Sequence, residues 1–111
     1  MITKKVAIVT GGSRGIGSAI CQTLAKESDY YLLINYTSNQ SAAETTLQKV
    51  EENGGTGEII KFDVSNSDEV KGALTAWQEA NPDLVVEVVV NNAGITKDGL
   101  FMWMTNQDWD S

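Results

Sequence analysis

The chain has 111 residues, of which 15 are acidic and 8 basic, and its formal net charge is -7. That length suffices for one domain with a core, and 41% hydrophobic with 21% charged residues excludes disordered and fibrous classes. The scattered bases disfavour nucleic-acid and anionic-membrane binding, and a chain with one cysteine and no histidine is expected to hold neither a disulfide nor a metal.

The sequence contains no sign of membrane insertion or export. No apolar run approaches the roughly 18 residues of a membrane span, and the N-terminus leads directly into a strand pattern without a signal-peptide core. We therefore expect a cytoplasmic protein without a membrane segment. Cys21 lies within a helical pattern, where a small buried hydrophobe is expected instead of a reactive thiol.

Four apolar runs rich in β-branched or aromatic residues alternate with three helical patterns. The predicted strands are residues 6–10, 30–36, 57–64 and 84–90. The apolar faces predicted for the helices are Ile16, Ala19, Ile20 and Leu24; then Ala43, Thr46, Leu47 and Val50; then Val70, Ala73, Leu74 and Trp77.

Turn and cap residues punctuate these elements. Asn53-Gly54-Gly55 is predicted to end the second helix, Ser65 or Ser67 to cap the third, and Asn81-Pro82 to end it.

The strands are almost continuously apolar, which is typical of parallel strands covered by helices on both faces. The sequence therefore predicts the α/β class, with β-α-β-α-β-α-β in a Rossmann-like doubly wound parallel sheet. Right-handed crossovers place the first two helices on one face and the third on the other, so the expected strand order is 3-2-1-4. Ligands of such sheets bind at the carboxyl ends of strands beside the point where the order reverses.

A glycine-rich loop, TGGSRGIG at residues 10–17, follows the first strand and opens the first helix. A dinucleotide pyrophosphate needs a tight turn, close backbone approach and a helix N-terminus, and Gly11, Gly15 and Gly17 meet these needs. A plain glycine-rich turn is the alternative, but the strand-loop-helix context favours a dinucleotide. The remaining predicted loop contacts are Gly12, Ser13, Arg14 and Ile16.

The spacing Thr-Gly-x-x-x-Gly-x-Gly, with Asp63-Val64 and Asn91-Asn92-Ala93-Gly94 after later strands, resembles the short-chain dehydrogenase/reductase family. The resemblance implies that Asp63, beside Val64, accepts a hydrogen bond from the adenine amino group, although a loop or cap role is the alternative. Asn91 would bridge the fourth strand to the glycine loop or the ribose, with a turn-forming role as its alternative. Ala93 and Gly94 would leave room for a ribose.

The end of the second strand bears on the choice of dinucleotide. An acidic residue there binds the ribose hydroxyls of NAD, but this chain has Tyr36 at that position. Arg14, Thr37 and Ser38 could hold the 2'-phosphate of NADP, while a solvated surface arginine is the alternative for Arg14. The sequence therefore predicts a preference for NADP (NADPH).

Residues 91–110 resemble the bacterial 3-oxoacyl-acyl-carrier-protein reductases of fatty acid synthesis, with acetoacetyl-CoA reductases as the nearest competitor. The resemblance implies reduction of a 3-oxoacyl chain on acyl carrier protein by NADPH, with a serine, a tyrosine and a lysine four residues after it. No tyrosine here is followed by such a lysine, so those residues and the catalytic asparagine would lie after Ser111.

Residues 1–111 are therefore expected to be an incomplete NADP-binding Rossmann domain, without catalytic residues and inactive alone, in which residues 100–104 start a fourth helix. We expect it to self-associate through the open edge at residues 84–90 or through exposed apolar surface. The alternatives are a non-catalytic nucleotide-binding or assembly module and a fragment of an acetoacetyl-CoA reductase.

Overall fold

A computed structural model describes residues 4–11 and 15–92 of the chain. The predictions for Gly12, Ser13, Arg14, Ala93 and Gly94, and for a fourth helix, lie outside the described residues. The prediction for the Asn91 side chain does so as well.

Strands and helices alternate in the predicted order, and the boundaries differ from prediction by a few residues. β3 ends earlier than expected because the chain turns at Asp63, where the carboxylate accepts a hydrogen bond from the Ser65 backbone N–H. The elements are β1 (Lys4–Thr10), α1 (Gly15–Glu27), β2 (Tyr31–Tyr36), α2 (Gln40–Glu52), β3 (Thr56–Lys61), α3 (Ser67–Ala80) and β4 (Leu84–Asn91).

The four strands form one parallel sheet in the order β3-β2-β1-β4, which confirms the predicted topology. Thr10 at the end of β1 pairs with Asn91 at the end of β4. The β1–β4 register shifts between Val6 and Ala7, where Glu87 is the additional residue of β4. The carboxyl ends of the two strands therefore lie side by side, at the level where the glycine loop begins.

Helices cover both faces of the sheet. On one face, Val6, Ile8 and Leu33 pack in one core with residues of α3 such as Leu74. On the other face, Ala7, Val9, Leu32 and Ile34 pack with Cys21 and Ala25 of α1 and Val50 of α2. This division confirms that α1 and α2 lie opposite α3, as the crossover rule requires.

The predicted apolar face of α1 is confirmed for Ile20 and Leu24, which are partly buried against the core, and is wrong for Ile16 and Ala19. Gly17, Cys21 and Ala25 are buried, whereas Ile16 is 73% exposed and Ala19 is also exposed. Small residues face the sheet because α1 approaches the strands closely, which leaves no room for large side chains there. For α2 and α3 the predicted faces are confirmed, since Ala43, Thr46 and Val50, and Val70, Leu74 and Trp77, are buried.

The caps of α3 also correct one prediction. Asn66, and neither Ser65 nor Ser67, is the N-cap, because its side-chain oxygen accepts a hydrogen bond from the Glu69 N–H at 3.1 Å. Asn53 ends α2 and Asn81 ends α3, as predicted. Among the described helices, none has both the length and the apolar character needed to cross a membrane.

Candidate functional site

The candidate site lies where the glycine loop leaves β1. Gly11 and Gly15 have φ angles of 63° and 64°, a conformation that residues with a Cβ rarely adopt. α1 starts at Gly15, so its unpaired first-turn N–H groups and positive dipole end lie at the same edge of the sheet as the carboxyl end of β1. A helix N-terminus in this position is suited to bind an anion.

Gly17 is the closest contact between α1 and the loop. A Cβ added to Gly17 would lie 2.1 Å from the Gly11 carbonyl oxygen and 2.8 Å from Nδ2 of Asn92. No side chain fits in that space. The glycine therefore sets how closely the helix N-terminus approaches the end of β1.

Asn35, which we did not predict as a site residue, joins three strand ends. Its Oδ1 accepts a hydrogen bond from the Gly11 N–H at 3.0 Å, and its Nδ2 donates to the Phe62 carbonyl at 3.0 Å and to the Tyr36 carbonyl at 3.3 Å. The side chain is only 1% exposed. The signal in the sequence was one amide within the apolar run YLLINY.

Asn92 binds the carbonyl group of Gly11. Its Nδ2 donates to the Gly11 carbonyl at 3.3 Å, and Thr10 Oγ1 donates to the Val90 carbonyl at 3.3 Å. A bridge from the end of β4 to the glycine loop was expected from Asn91, and the structure shows one from the neighbouring residue.

At the end of β2, Tyr36 is 8% exposed and pairs with Lys61 of β3. Thr37 and Ser38 follow and are exposed. They directly precede Asn39, whose side chain caps α2 by accepting a hydrogen bond from the Ala42 N–H at 3.0 Å. The two hydroxyl residues therefore stand beside a helix N-terminus, and no carboxylate occupies residues 35–38.

Asp63 stabilises the turn after β3, which agrees with the loop role given above as the alternative to adenine binding. Its Oδ1 accepts hydrogen bonds from Ser65 Oγ at 2.7 Å and from the Ser65 N–H at 2.9 Å, and these bonds lower the pKa of the carboxyl group. The ionised side chain remains partly exposed after β3. Val64 packs, partly buried, against the core on the α3 side.

Cys21 is the single cysteine of the chain, and it is buried and free. Burial raises the pKa of the Cys21 thiol to about 12, which keeps it protonated, as its prediction as a buried hydrophobe implies. Within residues 4–11 and 15–92, no cluster of three or more histidine, cysteine, aspartate or glutamate side chains could hold a metal ion.

Comparison with known sequences gives a family match and enzyme relatives. Residues 5–111 match the family model "short chain dehydrogenase". A 3-oxoacyl-acyl-carrier-protein reductase from Staphylococcus epidermidis is 41% identical over 106 residues, which are 96% of this chain and 42% of the relative. One from Synechocystis is 36% identical over 110 residues, covering 99% of this chain and 43% of the relative. The chain thus spans about two fifths of the curated relatives it matches.

Solved structures agree with this match. A metagenomic short-chain oxidoreductase in complex with NADP has a TM-score of 0.72 and 30% identity, over 84% of this chain and 40% of that one. A short-chain dehydrogenase/reductase variant from Serratia marcescens has a TM-score of 0.71 and 33% identity, over 86% and 38%. With the observed strand order and glycine loop, these matches show that the chain belongs to the short-chain dehydrogenase family.

Proposed function

We propose that this chain is the NADP(H)-binding part, residues 1–111, of a cytoplasmic 3-oxoacyl-acyl-carrier-protein reductase. The observation that carries the proposal is the cradle between β1 and α1, where Gly17 lies against the Gly11 carbonyl with no room for a Cβ. This close packing brings the N-terminus of α1 to the end of β1, where its unpaired N–H groups and dipole favour the charge of a pyrophosphate. The residues present therefore fit a dinucleotide.

In this proposal each element of the sheet edge contacts one part of the dinucleotide. The glycine loop and α1 bind the pyrophosphate, the end of β2 binds the adenosine ribose, and the turn after β3 lies at the adenine. Because Oδ1 of Asp63 is bonded to Ser65, adenine recognition by this residue uses its other oxygen. The proposed contacts are Gly11, Gly12, Ser13, Arg14, Gly15, Ile16, Gly17, Tyr36, Thr37, Ser38, Asp63, Val64, Asn91, Ala93 and Gly94.

The preference for NADP over NAD rests on the end of β2. No carboxylate stands there to repel a 2'-phosphate, while exposed Thr37 and Ser38 lie beside the N-terminus of α2. Replacing Tyr36 with aspartate is expected to weaken NADPH binding relative to NADH, since the new carboxylate would repel the phosphate. Fluorescence titration of both nucleotides measures this ratio, and an unchanged ratio would remove the assignment of Tyr36.

The whole reductase would use NADPH as the hydride donor to the 3-oxo carbon of an acyl chain on acyl carrier protein. In that reaction, the residues of this chain would bind and orient the nucleotide. They include no Tyr-x-x-x-Lys, so no proton donor of the family type is assigned among them. The reductase relatives support this substrate class, and an acetoacetyl-CoA reductase remains the neighbouring possibility.

The decisive experiment titrates the purified 111-residue chain with NADPH and NADH and then adds acetoacetyl-CoA. We expect saturable binding with preference for NADPH, and no nucleotide oxidation. Absence of NADPH binding by a folded chain would refute the cofactor proposal, and turnover would refute the proposal that the chain is inactive alone.

A second candidate function, a non-catalytic assembly module, is favoured by the edge of the sheet. Within the described residues no strand pairs with the outer side of β4, and Val85 there is 47% exposed. Sedimentation at several concentrations tests self-association through this edge, and Val85→Lys should weaken it. A monomer at all concentrations would leave this candidate without support.

A further inference from the structure

We propose that Asn35 is a positioning residue of the dinucleotide site. Its buried amide fixes the first peptide of the glycine loop against the carboxyl ends of β2 and β3. This inference rests on the proposed NADP(H) binding, and it concerns a side chain without a place among the expected cofactor contacts.

The hydrogen bonds of Asn35 run to three different segments. The acceptor oxygen binds the Gly11 N–H at 3.0 Å, and the amide nitrogen binds the Phe62 carbonyl at 3.0 Å and the Tyr36 carbonyl at 3.3 Å. Each segment continues into a proposed contact: Gly11 into the phosphate loop, Tyr36 into Thr37, and Phe62 into Asp63. One side chain therefore sets the spacing among the parts of the sheet edge assigned to pyrophosphate, ribose and adenine.

The position of Asn35 within β2 shows why a special role is needed. Leu32, Leu33 and Ile34 are fully buried, and asparagine is a poor strand former that costs free energy when buried without partners. An apolar residue would suit the strand itself. The amide pairs instead with backbone groups at the strand ends, namely the Gly11 N–H, the Phe62 carbonyl and the Tyr36 carbonyl, the last of which also accepts from the Phe62 N–H.

Gly11 is held from both sides by asparagines. Asn35 binds its N–H and Asn92 its carbonyl, while the carbonyl also lies against Gly17. Because the N–H of Gly11 is committed to a side chain, the contact proposed for Gly11 does not use this group, and we propose that phosphate is bound by N–H groups of the following loop residues and the first turn of α1. Gly11 then acts as an anchor, because its fixed peptide orients the loop residues that follow it.

The test compares Asn35→Leu with Leu74→Ala in the 111-residue chain. Leu74 is fully buried in the core under α3 and takes part in none of the hydrogen bonds of Asn35 or Gly11, so its truncation lowers stability without removing a polar contact of the site. Two quantities are measured for the folded protein: the dissociation constant for NADPH and the hydrogen-exchange protection of the Gly11 amide.

We expect Asn35→Leu to raise the dissociation constant about tenfold or more and to remove the protection of Gly11, since a buried N–H loses its partner. Leu74→Ala should change neither quantity once the folded fraction is taken into account. If Asn35→Leu does not fold, Asn35→Asp serves instead. Its carboxyl group can accept from the Gly11 N–H in either form but can donate one hydrogen bond to a backbone carbonyl only when protonated, so its NADPH affinity relative to the unaltered chain should fall as pH rises.

Several results would overturn the inference. Unchanged Gly11 protection would show that Asn35 does not hold the loop, and lost protection with unchanged affinity would show that the anchor does not position the site. A pH-independent affinity ratio for Asn35→Asp counts equally against it. If the unaltered chain does not bind NADPH, the proposed function fails by itself, and Gly11 protection then decides whether the anchor exists.

Discussion

At the scale of single residues, the site depends on groups that are small or fully paired. Gly17 provides space, and the Asn35 amide pairs with Gly11, Tyr36 and Phe62. Spacing of glycines in the sequence was enough to predict the loop, because a tight turn has few alternatives. A lone asparagine in an apolar strand was not enough, because its partners are supplied by backbone far along the chain.

Replacing Gly17 with alanine should destabilise the chain and weaken NADPH binding. The new Cβ would meet the Gly11 carbonyl at 2.1 Å, so α1 must move away from the loop. The loss is expected at about 1–3 kcal/mol in the free energy of unfolding, measured by urea titration.

Gly72→Ala is the matched control, since a Cβ there meets nothing within 4 Å. It should stabilise α3 by roughly 0.5–1 kcal/mol. Equal effects of the two substitutions on the free energy of unfolding would contradict the close contact between Gly17 and the Gly11 carbonyl.

The Cys21 thiol should react slowly with thiol reagents at pH 8 while the chain is folded, and quickly after unfolding in guanidinium chloride. Burial raises its pKa from 9.0 to about 12, so the folded state keeps the proton that the unfolded state loses. Stability from this group is therefore complete below pH 9 and declines towards pH 12, by about 1.4 kcal/mol per pH unit. Cys21→Ala should therefore reduce the decline of the free energy of unfolding between pH 9 and pH 12. Fast reaction of the thiol in the folded chain would contradict its burial.

At the scale of elements, hydrophobic periodicity predicted the buried faces of α2 and α3 well, and that of α1 only in part, since Ile20 and Leu24 pack against the core but Ile16 does not. The faces of α2 and α3 are marked by large or β-branched residues such as Val50 and Leu74, which pack on the sheet. α1 instead buries Gly17 and Cys21 and exposes Ile16, because its closeness to the glycine loop excludes bulk. A hydrophobicity pattern does not contain that distance constraint.

The N-cap of α3 provides a test at this scale. Asn66→Ala should lower the free energy of unfolding by about 1 kcal/mol, since the Glu69 N–H loses its acceptor. Ser67→Ala, at the next residue, should change it by less than about 0.5 kcal/mol. Urea unfolding of both variants measures the difference, and a larger effect at Ser67 would assign the cap to serine.

At the scale of the whole molecule, the sheet order follows from connection rules that the sequence pattern already satisfies. β1 lies inside the sheet between β2 and β4, although it comes first in the chain. Both core clusters include residues of β1 and residues that belong to or pack from β4. The pairing of β1 with β4, the first and last strands described, therefore contributes to the core on both faces of the sheet.

Removing residues 84–111 should abolish cooperative unfolding. The truncated chain would lose Val86 from the core and leave one side of β1 unpaired. Circular dichroism during urea titration measures the transition, with the 111-residue chain as control. A sharp transition in the shorter chain would show that β4 is dispensable for the fold.

The pairing of β1 with β4 also has a consequence for the order of events during synthesis. Thr10 and Val90, which share a hydrogen bond, are 80 positions apart, so β1 leaves the ribosome long before its second neighbour exists. At roughly 5–20 residues per second, β1 waits several seconds with one edge open. During that interval the nascent chain is most exposed to wrong pairing, and chaperone contact should concentrate there.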